Sequence, residues 1–361
     1  MSPEGKHPDF ITRQEDPLNG GSPLAELGAA QRTPVERFFV RSHGAIPQAS
    51  AESWRLRISG LVRQETELSL QDLSSNYRRH SVVAALECAG NRRSELIAVA
   101  PTPGELEWHA EAIGNAAWSG WSLAEVLAAA GPLPEARHVE FVGIDETERL
   151  GRRFAFGGSV PIEKALAREV LLADTMNGEE LPPAHGFPLR AVVPGYLGAR
   201  SVKWLAEIRL RDEPSENYFQ AHAYRLFPPW INPTNVVWES GLMLGEMPVT
   251  SVISSPAPGA VAAGEVEVSG YAYVGGGRGI ERVDLSIDGG RTWRAADLGV
   301  EEGAWSWRLF SARVDLEPGE HELVVRAFDR SAQTQPRAAS EVWNFKGYAN
   351  NAWHRVRVTV R

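Results

Sequence analysis

The sequence predicts two folded units in series, an α+β domain over residues 36–247 and an all-β, immunoglobulin-like sandwich over residues 248–361. Three observations lead there. Two capping signatures introduce helices in the first stretch, and short β-branched runs lie between and after them. Beyond Pro248 every helical period gives way to alternation broken by Gly and Pro. A length of 361 residues is too great for one ordinary core and suits two.

Residues 1–35, rich in Pro, Gly and charge, read as an extended arm that leans on a neighbour or frays. Residues 55–59 alternate within WRLRISG, a half-buried strand closed by Gly60. Ser69 and Asp72 give a capping-box-like start to a short helix. Ser122 and Glu125 repeat that signature before LAEVLAAA, which Gly131 and Pro132 end. Pro161, a residue favoured at a first helical position, predicts a further helix through IEKALAREVLLA. LRAVVPG and VKWLAEIRL then read as strands between Gly and Pro breaks. In the second unit Asp288 and Gly289, set between two alternating runs, carry a hairpin signal, and HELVVRAFDR and WHRVRVTVR are further strands.

Apolar residues make up 43% and charged residues 23%, the balance of a globular chain. The net charge of −9 excludes a general nucleic-acid binder, whose affinity comes from Lys and Arg on many phosphates, but leaves room for a local basic pocket. No stretch approaches 18 consecutive apolar residues, and MSPEGKHPDF lacks the apolar run of a secretory signal. The expectation is a cytoplasmic protein without a membrane partner, or a periplasmic one if a leader has been removed. Cys88 is the single cysteine, which excludes an internal disulfide, a zinc site of several thiolates, c-type haem attachment and an iron–sulfur cluster.

Residues 86–95, LECAGNRRSE, set Cys88 beside two arginines, and positive charge favours thiolate over thiol. A soft-metal ligand and a nucleophile both need that form. The competing reading is a buried small hydrophobe. Residues 185–203, HGFPLRAVVPGYLGARSVK, hold His185, Arg190, Arg200 and Lys203 with no acid among them, and their Gly and Pro breaks let backbone N–H groups approach a ligand. A phosphate or other anion pocket and a solvated basic loop are both compatible with that pattern. Residues 38–47, FFVRSHGAIP, place Arg41 and His43 in a turn-prone segment.

Together these stretches resemble the sulfite oxidase family. LECAGNRRSE is similar to its molybdenum-cysteine motif, HGFPLRAVVPGYLGARSVKWL to its pterin-binding segment, FFVRSH to its N-terminal active-site arginine segment, and WNFKGYANNAWHRVRV to its last strands. The resemblance runs over residues 35–361. It implies a molybdopterin domain followed by an immunoglobulin-like dimerisation domain, hence a homodimer. It also implies a molybdenum-molybdopterin cofactor with Cys88 as metal ligand. By the same resemblance Arg41, Arg93, Trp108 and Tyr224 line the substrate pocket, and Ser42, His43, Asp145, His185, Arg190, Ser201 and Lys203 hold the pterin and its phosphate. GIDETERLGRRFAFGG departs from the family in length, so Asp145 reads equally as a turn aspartate.

One departure touches the substrate. Animal and plant sulfite oxidases carry arginine in a WNLRG motif and assimilatory nitrate reductases carry methionine, whereas this chain has Lys346 in WNFKG. Lysine keeps the charge and gives up the planar fork that binds an oxyanion bidentately. The activity implied is oxidation of sulfite to sulfate by oxygen-atom transfer at molybdenum, with electrons passed to an external acceptor, either oxygen or a separate cytochrome. The alternatives are a reductase of the same fold acting on nitrate or a sulfoxide, and a non-catalytic binding protein. No motif ties a His and Asp pair to Cys88, which disfavours a cysteine hydrolase. Trp108, Trp118 and Trp121 are close in sequence, and such clusters are more often core than electron path.

Overall fold

The computed structural model describes residues 3–361 and is mostly β with few, short helices. The first part of the chain builds two five-stranded sheets. One runs Glu179–Glu180, Leu171–Met176, Ile113–Ser122, Arg79–Glu87, with Arg190–Val192 also paired to Leu171–Met176. The other runs Thr66–Leu68, Leu56–Gly60, Leu205–Arg211, His138–Arg149, Arg152–Pro161. Leu56–Gly60 lies parallel to Leu205–Arg211, which brings together segments far apart in sequence. Gly120 is required where Ile113–Ser122 meets Leu171–Met176, because a Cβ there would stand 1.9 Å from the Leu172 carbonyl oxygen.

The capping signatures were sound guides. Ser69 caps Leu70–Asn76 with a complete capping box, and Ser122 caps Leu123–Ala130, which ends on Gly131 in the left-handed conformation that a helix end favours. The helix expected from Pro161 is cut short. Only Ile162–Ala165 is helical, and Leu171–Met176 is a strand pinned on both edges by ladder hydrogen bonds. Local helix preference yields there to a largely buried position in a sheet, since such preferences are weak against tertiary pairing.

Residues 1–35, expected to lean on a neighbour or fray, return onto their own chain in the described part. Ile11–Gln14 and Asn19–Gly21 form a small sheet with Val40–Arg41. Phe10, Asn19, Ser22 and Leu27 are buried.

The last third is a β-sandwich. One sheet is ordered Thr250–Ser255, Gly264–Tyr273, Arg308–Leu316, Asp297–Leu298, and the other Gly259–Val261, His354–Val360, Gly319–Asp329, Ile280–Ser286, Arg294–Ala295. Val268, Ile253, Val283, Leu323 and Val356 fill the space between them; each such side chain contributes roughly 1.5–3 kcal/mol on burial. The predicted Asp288–Gly289 hairpin exists with a longer loop, because Asp288 accepts the backbone N–H groups of Arg291 and Thr292 and so builds a wide side-chain-closed turn.

The two parts share a core. Tyr271, Tyr273 and Trp307 belong to the apolar cluster of the first part, and the Tyr271 hydroxyl donates to the Ala110 carbonyl at 3.1 Å. Residues 344–352, grouped by sequence with the last strands, form an irregular segment laid over the cysteine loop. Ala349 N–H donates to the Ala89 carbonyl at 2.7 Å, and Asn350 Nδ2 donates to the Arg92 carbonyl at 3.0 Å. Among the described residues no helix is long and apolar enough to cross a membrane.

Candidate active site

Cys88 stands directly after the strand Arg79–Glu87, where the chain leaves the sheet and turns through Arg92, in a left-handed conformation, into the helix Arg93–Ile97. The turn is fixed by Cys88 N–H to the Ala112 carbonyl and Asn91 N–H to the Cys88 carbonyl, both at 2.9 Å. Gly90 N–H points at the sulfur, 3.4 Å away. Of the two flanking arginines, Arg92 does not take the place expected for it. Arg92 is wholly buried and pairs with Glu95 at 2.7 Å while donating to the Ala352 carbonyl. Its charge ties the cysteine loop to the sandwich.

Cys88 lines a cavity whose space, mouth included, is about 690 Å³. That size suits a cofactor or drug-sized ligand. Tyr224, Arg41, Ser42 and His43 also line it, as do Asp145, His185, Arg190, Ser201 and Lys203. The structure therefore gathers there most of the residues that the family motifs single out.

At the Cys88 end a polar chain can be followed atom by atom. Arg41 Nη2 donates to His43 Nδ1 at 3.2 Å, so the imidazole hydrogen lies on Nε2 and is donated to the Tyr224 oxygen at 2.8 Å. Desolvation, followed by Arg41 and Arg149, pushes His43 well below its usual value and keeps it neutral. Tyr224 is already an acceptor from His43, and its own O–H remains for whatever fills the cavity. Burial raises that phenol against the pull of Arg41, which keeps the hydrogen in place.

The other end is a nest of cations. Lys203 Nζ donates to Ser42 Oγ at 3.0 Å and to the Ala184 carbonyl at 2.9 Å. Arg190 donates to the His185 and Ser201 carbonyls at 3.0 and 2.9 Å. Neither meets a carboxylate at ion-pair distance among the described residues. Burial drives Lys203 far down and presses Arg190 down as well, although a guanidinium keeps its charge. Asp145 is raised by the same burial, with Lys203 opposing, and its Oδ1 has no hydrogen-bond partner among the described residues. Burial leaves the Lys203 amine ready to shed its proton, whereas the Arg190 guanidinium stays charged without a counter-ion, which costs several kcal/mol, on the order of 3–5 for one unpaired partner. An anionic occupant would offset that cost. A thiol presented by a backbone donor at one end and a buried cation cluster at the other therefore fit a molybdenum-pterin group carrying a phosphate.

Three predicted residues stand outside the cavity wall. Arg93 gives Nη1 to the Leu106 carbonyl at 2.6 Å and Nε to the Lys346 and Gly347 carbonyls, and lies over the Tyr348 ring at 5.1 Å. Lys346 is held by Glu105 in a close ion pair. Trp108 is buried in the apolar cluster that contains Cys88, and its Nε1 lacks a partner among the described residues. Trp118 and Trp121 are core residues, in keeping with the packing expectation.

Several cavity residues carry no chemical signature in the sequence. Phe156 stacks on His43 at 5.3 Å, and Trp204 anchors Lys203 with its ring 4.1 Å from the ammonium. From the arm, Lys6 Nζ donates to His185 Nε2 at 2.7 Å, with desolvation lowering it to about 7. Phe38 and Phe39 could have been noticed beside Arg41 in FFVRSH, whereas Lys6 and Glu105 sit in stretches without any motif.

Fold and site together define an oxidoreductase domain that binds molybdopterin, coupled to a sandwich of the kind that mediates dimerisation. The family model for an oxidoreductase molybdopterin binding domain matches residues 43–219, and that for a Mo-co oxidoreductase dimerisation domain matches residues 242–361. Sulfite oxidase of Gallus gallus is 41% identical over 361 residues, covering 97% of this chain and 78% of that protein. Mitochondrial sulfite oxidase of Homo sapiens is 41% identical, covering 98% of this chain and 66% of its own length. The solved structure of the sulfane dehydrogenase SoxCD from Paracoccus pantotrophus superposes with a TM-score of 0.82 at 28% identity, covering 98% of this chain and 87% of that one. The chain belongs to the sulfite oxidase family and is a molybdenum oxidoreductase of that type.

Proposed function

We infer that this chain oxidises sulfite to sulfate with a molybdenum-pterin cofactor bound through Cys88, and passes the electrons to an external acceptor, oxygen or a cytochrome. The observation that carries this reading is the cavity itself, lined by Cys88, Tyr224 and Arg41 together with Lys203 and Arg190. When bound, the cofactor supplies two-electron oxygen-atom exchange, chemistry that no side chain possesses. Lys203, Arg190, Ser42 and Ser201 would hold its anionic end, and Asp145, whose Oδ1 lacks a partner among the described residues, would serve as an acceptor toward it. Sulfite is small and heavily hydrated, so fixed positive charge must offset the loss of its water. Arg41 provides such charge beside Cys88, with Arg93 and Lys346 one layer further out. Tyr224, neutral and oriented by His43, donates its hydrogen bond to an oxygen at the reacting end.

The identity of the sandwich supports a homodimer, measurable by light scattering of the purified protein. The functional reading is tested by elemental analysis together with sulfite-dependent ferricyanide reduction, run beside dye-dependent nitrate and sulfoxide reduction. About one molybdenum per chain with sulfite turnover is expected. Metal-loaded protein that ignores sulfite and reduces nitrate would sink it.

A further inference from the structure

Arg93 and Lys346 are two of the positive groups expected to attract the substrate anion, and both are already engaged by one carboxylate. Glu105 pairs closely with Lys346 Nζ and lies 3.6 Å from Arg93 Nη2. The group is well enclosed, with side-chain exposures of 3% for Arg93, 14% for Lys346 and 16% for Glu105. It sits against the reacting end of the cavity. Arg93 and Lys346 both face the Tyr348 ring, at 5.1 and 5.7 Å, and that ring stacks on Tyr224 at 5.4 Å. The Arg93 guanidinium also covers Gly90, whose N–H points at the Cys88 sulfur.

We propose that Glu105 is a specificity-determining residue, an internal anion that occupies the place between Lys346 and Arg93 which a small oxyanion would otherwise fill. The proposal rests on the sulfite reading above and deepens it. A carboxylate there cancels one of the positive charges that Arg41, Arg93 and Lys346 bring, and it does so where partial burial leaves Coulomb forces weakly screened. An incoming oxyanion must displace Glu105 from Lys346 or bind beside it against its repulsion. Either way, sulfur oxyanions are held less firmly than the three cations alone would hold them, and sulfate as product leaves more readily. Glu105 can withdraw by rotation of its own partly exposed side chain, without movement of its backbone. Arg93 cannot follow, since Leu106, Lys346 and Gly347 fix it through their carbonyls.

The test compares the holoenzyme with its Glu105→Gln variant, reading the KM for sulfite and, by calorimetric titration, the affinity for sodium sulfate. Glu105→Gln is expected to lower the KM and to tighten sulfate binding, each by roughly tenfold. A KM that rises or stays put, with sulfate affinity no tighter, overturns the proposal and leaves Glu105 as a prop for Lys346. A Lys346→Met background separates the roles further. There, adding Glu105→Gln recovers part of the lost affinity if the carboxylate repels the anion, and recovers none if it only holds lysine. Should Glu105→Gln not fold, Glu105→Asp draws the charge back by one methylene and is expected to shift both readings the same way by a smaller factor; no shift in it overturns the proposal too. Sulfate titration does not depend on turnover. An enzyme inert to sulfite whose variant still gains sulfate affinity would refute the sulfite reading while the role of Glu105 stands.

Discussion

Cys88 owes its position to a strand end, a tight turn and one backbone donor, so a change of its side-chain atom leaves the turn intact and isolates the chemistry. Cys88→Ser replaces a soft ligand by a hard one of nearly the same size. Sulfite turnover is expected to fall by roughly a hundredfold or more, with circular dichroism and thermal midpoint close to the parent. Normal turnover would mean that the sulfur is not the ligand. Lys346→Met removes a charge that faces both the Tyr348 ring and Glu105. Steady-state kinetics should show the KM for sulfite raised by roughly tenfold; an unchanged value would place this lysine outside the substrate's reach. Cys88, Arg41 and the basic residues of 185–203 are visible in the sequence because their types are chemically conspicuous. Glu105 is not, since an acid in a Pro- and Gly-rich loop has the look of any solvated charge until folding sets it against Lys346.

At the scale of elements, helix starts are the most local feature of the chain and were read correctly at Ser69 and Ser122. They differ in strength. Asp72 N–H donates to Ser69 Oγ at 3.1 Å, with Ser69 N–H returning a bond to Asp72, whereas Glu125 N–H reaches Ser122 Oγ only at 3.4 Å. Ser69→Ala is accordingly expected to cost about 1 kcal/mol and Ser122→Ala less, as read from denaturant midpoints. Equal losses would show that the geometry of the box does not set its worth. The segment after Pro161 shows the reverse case. Its apolar spacing fits a helix, yet Leu171–Met176 gains ladder partners on two edges, and burial of Leu171, Leu172 and Ala173 in the sheet outweighs a preference of a few tenths of a kcal/mol per residue.

On the scale of the whole molecule, the two parts are joined through buried charge. His354 begins the last strand and faces Arg92 and Glu95 of the cysteine loop, accepting the Ile253 N–H on Nδ1 at 3.2 Å. Desolvation first, then Arg92, lowers it to about 4. An unfolded imidazole takes up its proton near pH 6.5, so between about 6.5 and 4 the unfolded state binds more protons and acid favours unfolding. Thermal midpoints should fall across that window. His354→Asn keeps an acceptor for Ile253 but cannot titrate, and it should lose less, by on the order of 3 kcal/mol at the acid end. Identical acid profiles for the two proteins would show that this histidine does not couple the parts to pH.

What the sequence determined alone was whatever short-range chemistry specifies: the capped helices, the alternating strands of the sandwich, the lone thiol and the acid-free basic stretch around Lys203. The tertiary structure decided the rest. It folded the N-terminal arm back to bring Lys6 onto His185, laid residues 344–352 over the cysteine loop, turned Arg92 away from the sulfur, and put Glu105 between the two cations meant for the substrate. Each of these depends on which distant acceptor lies within about 3 Å of a donor, and spacing along a chain carries no record of that distance.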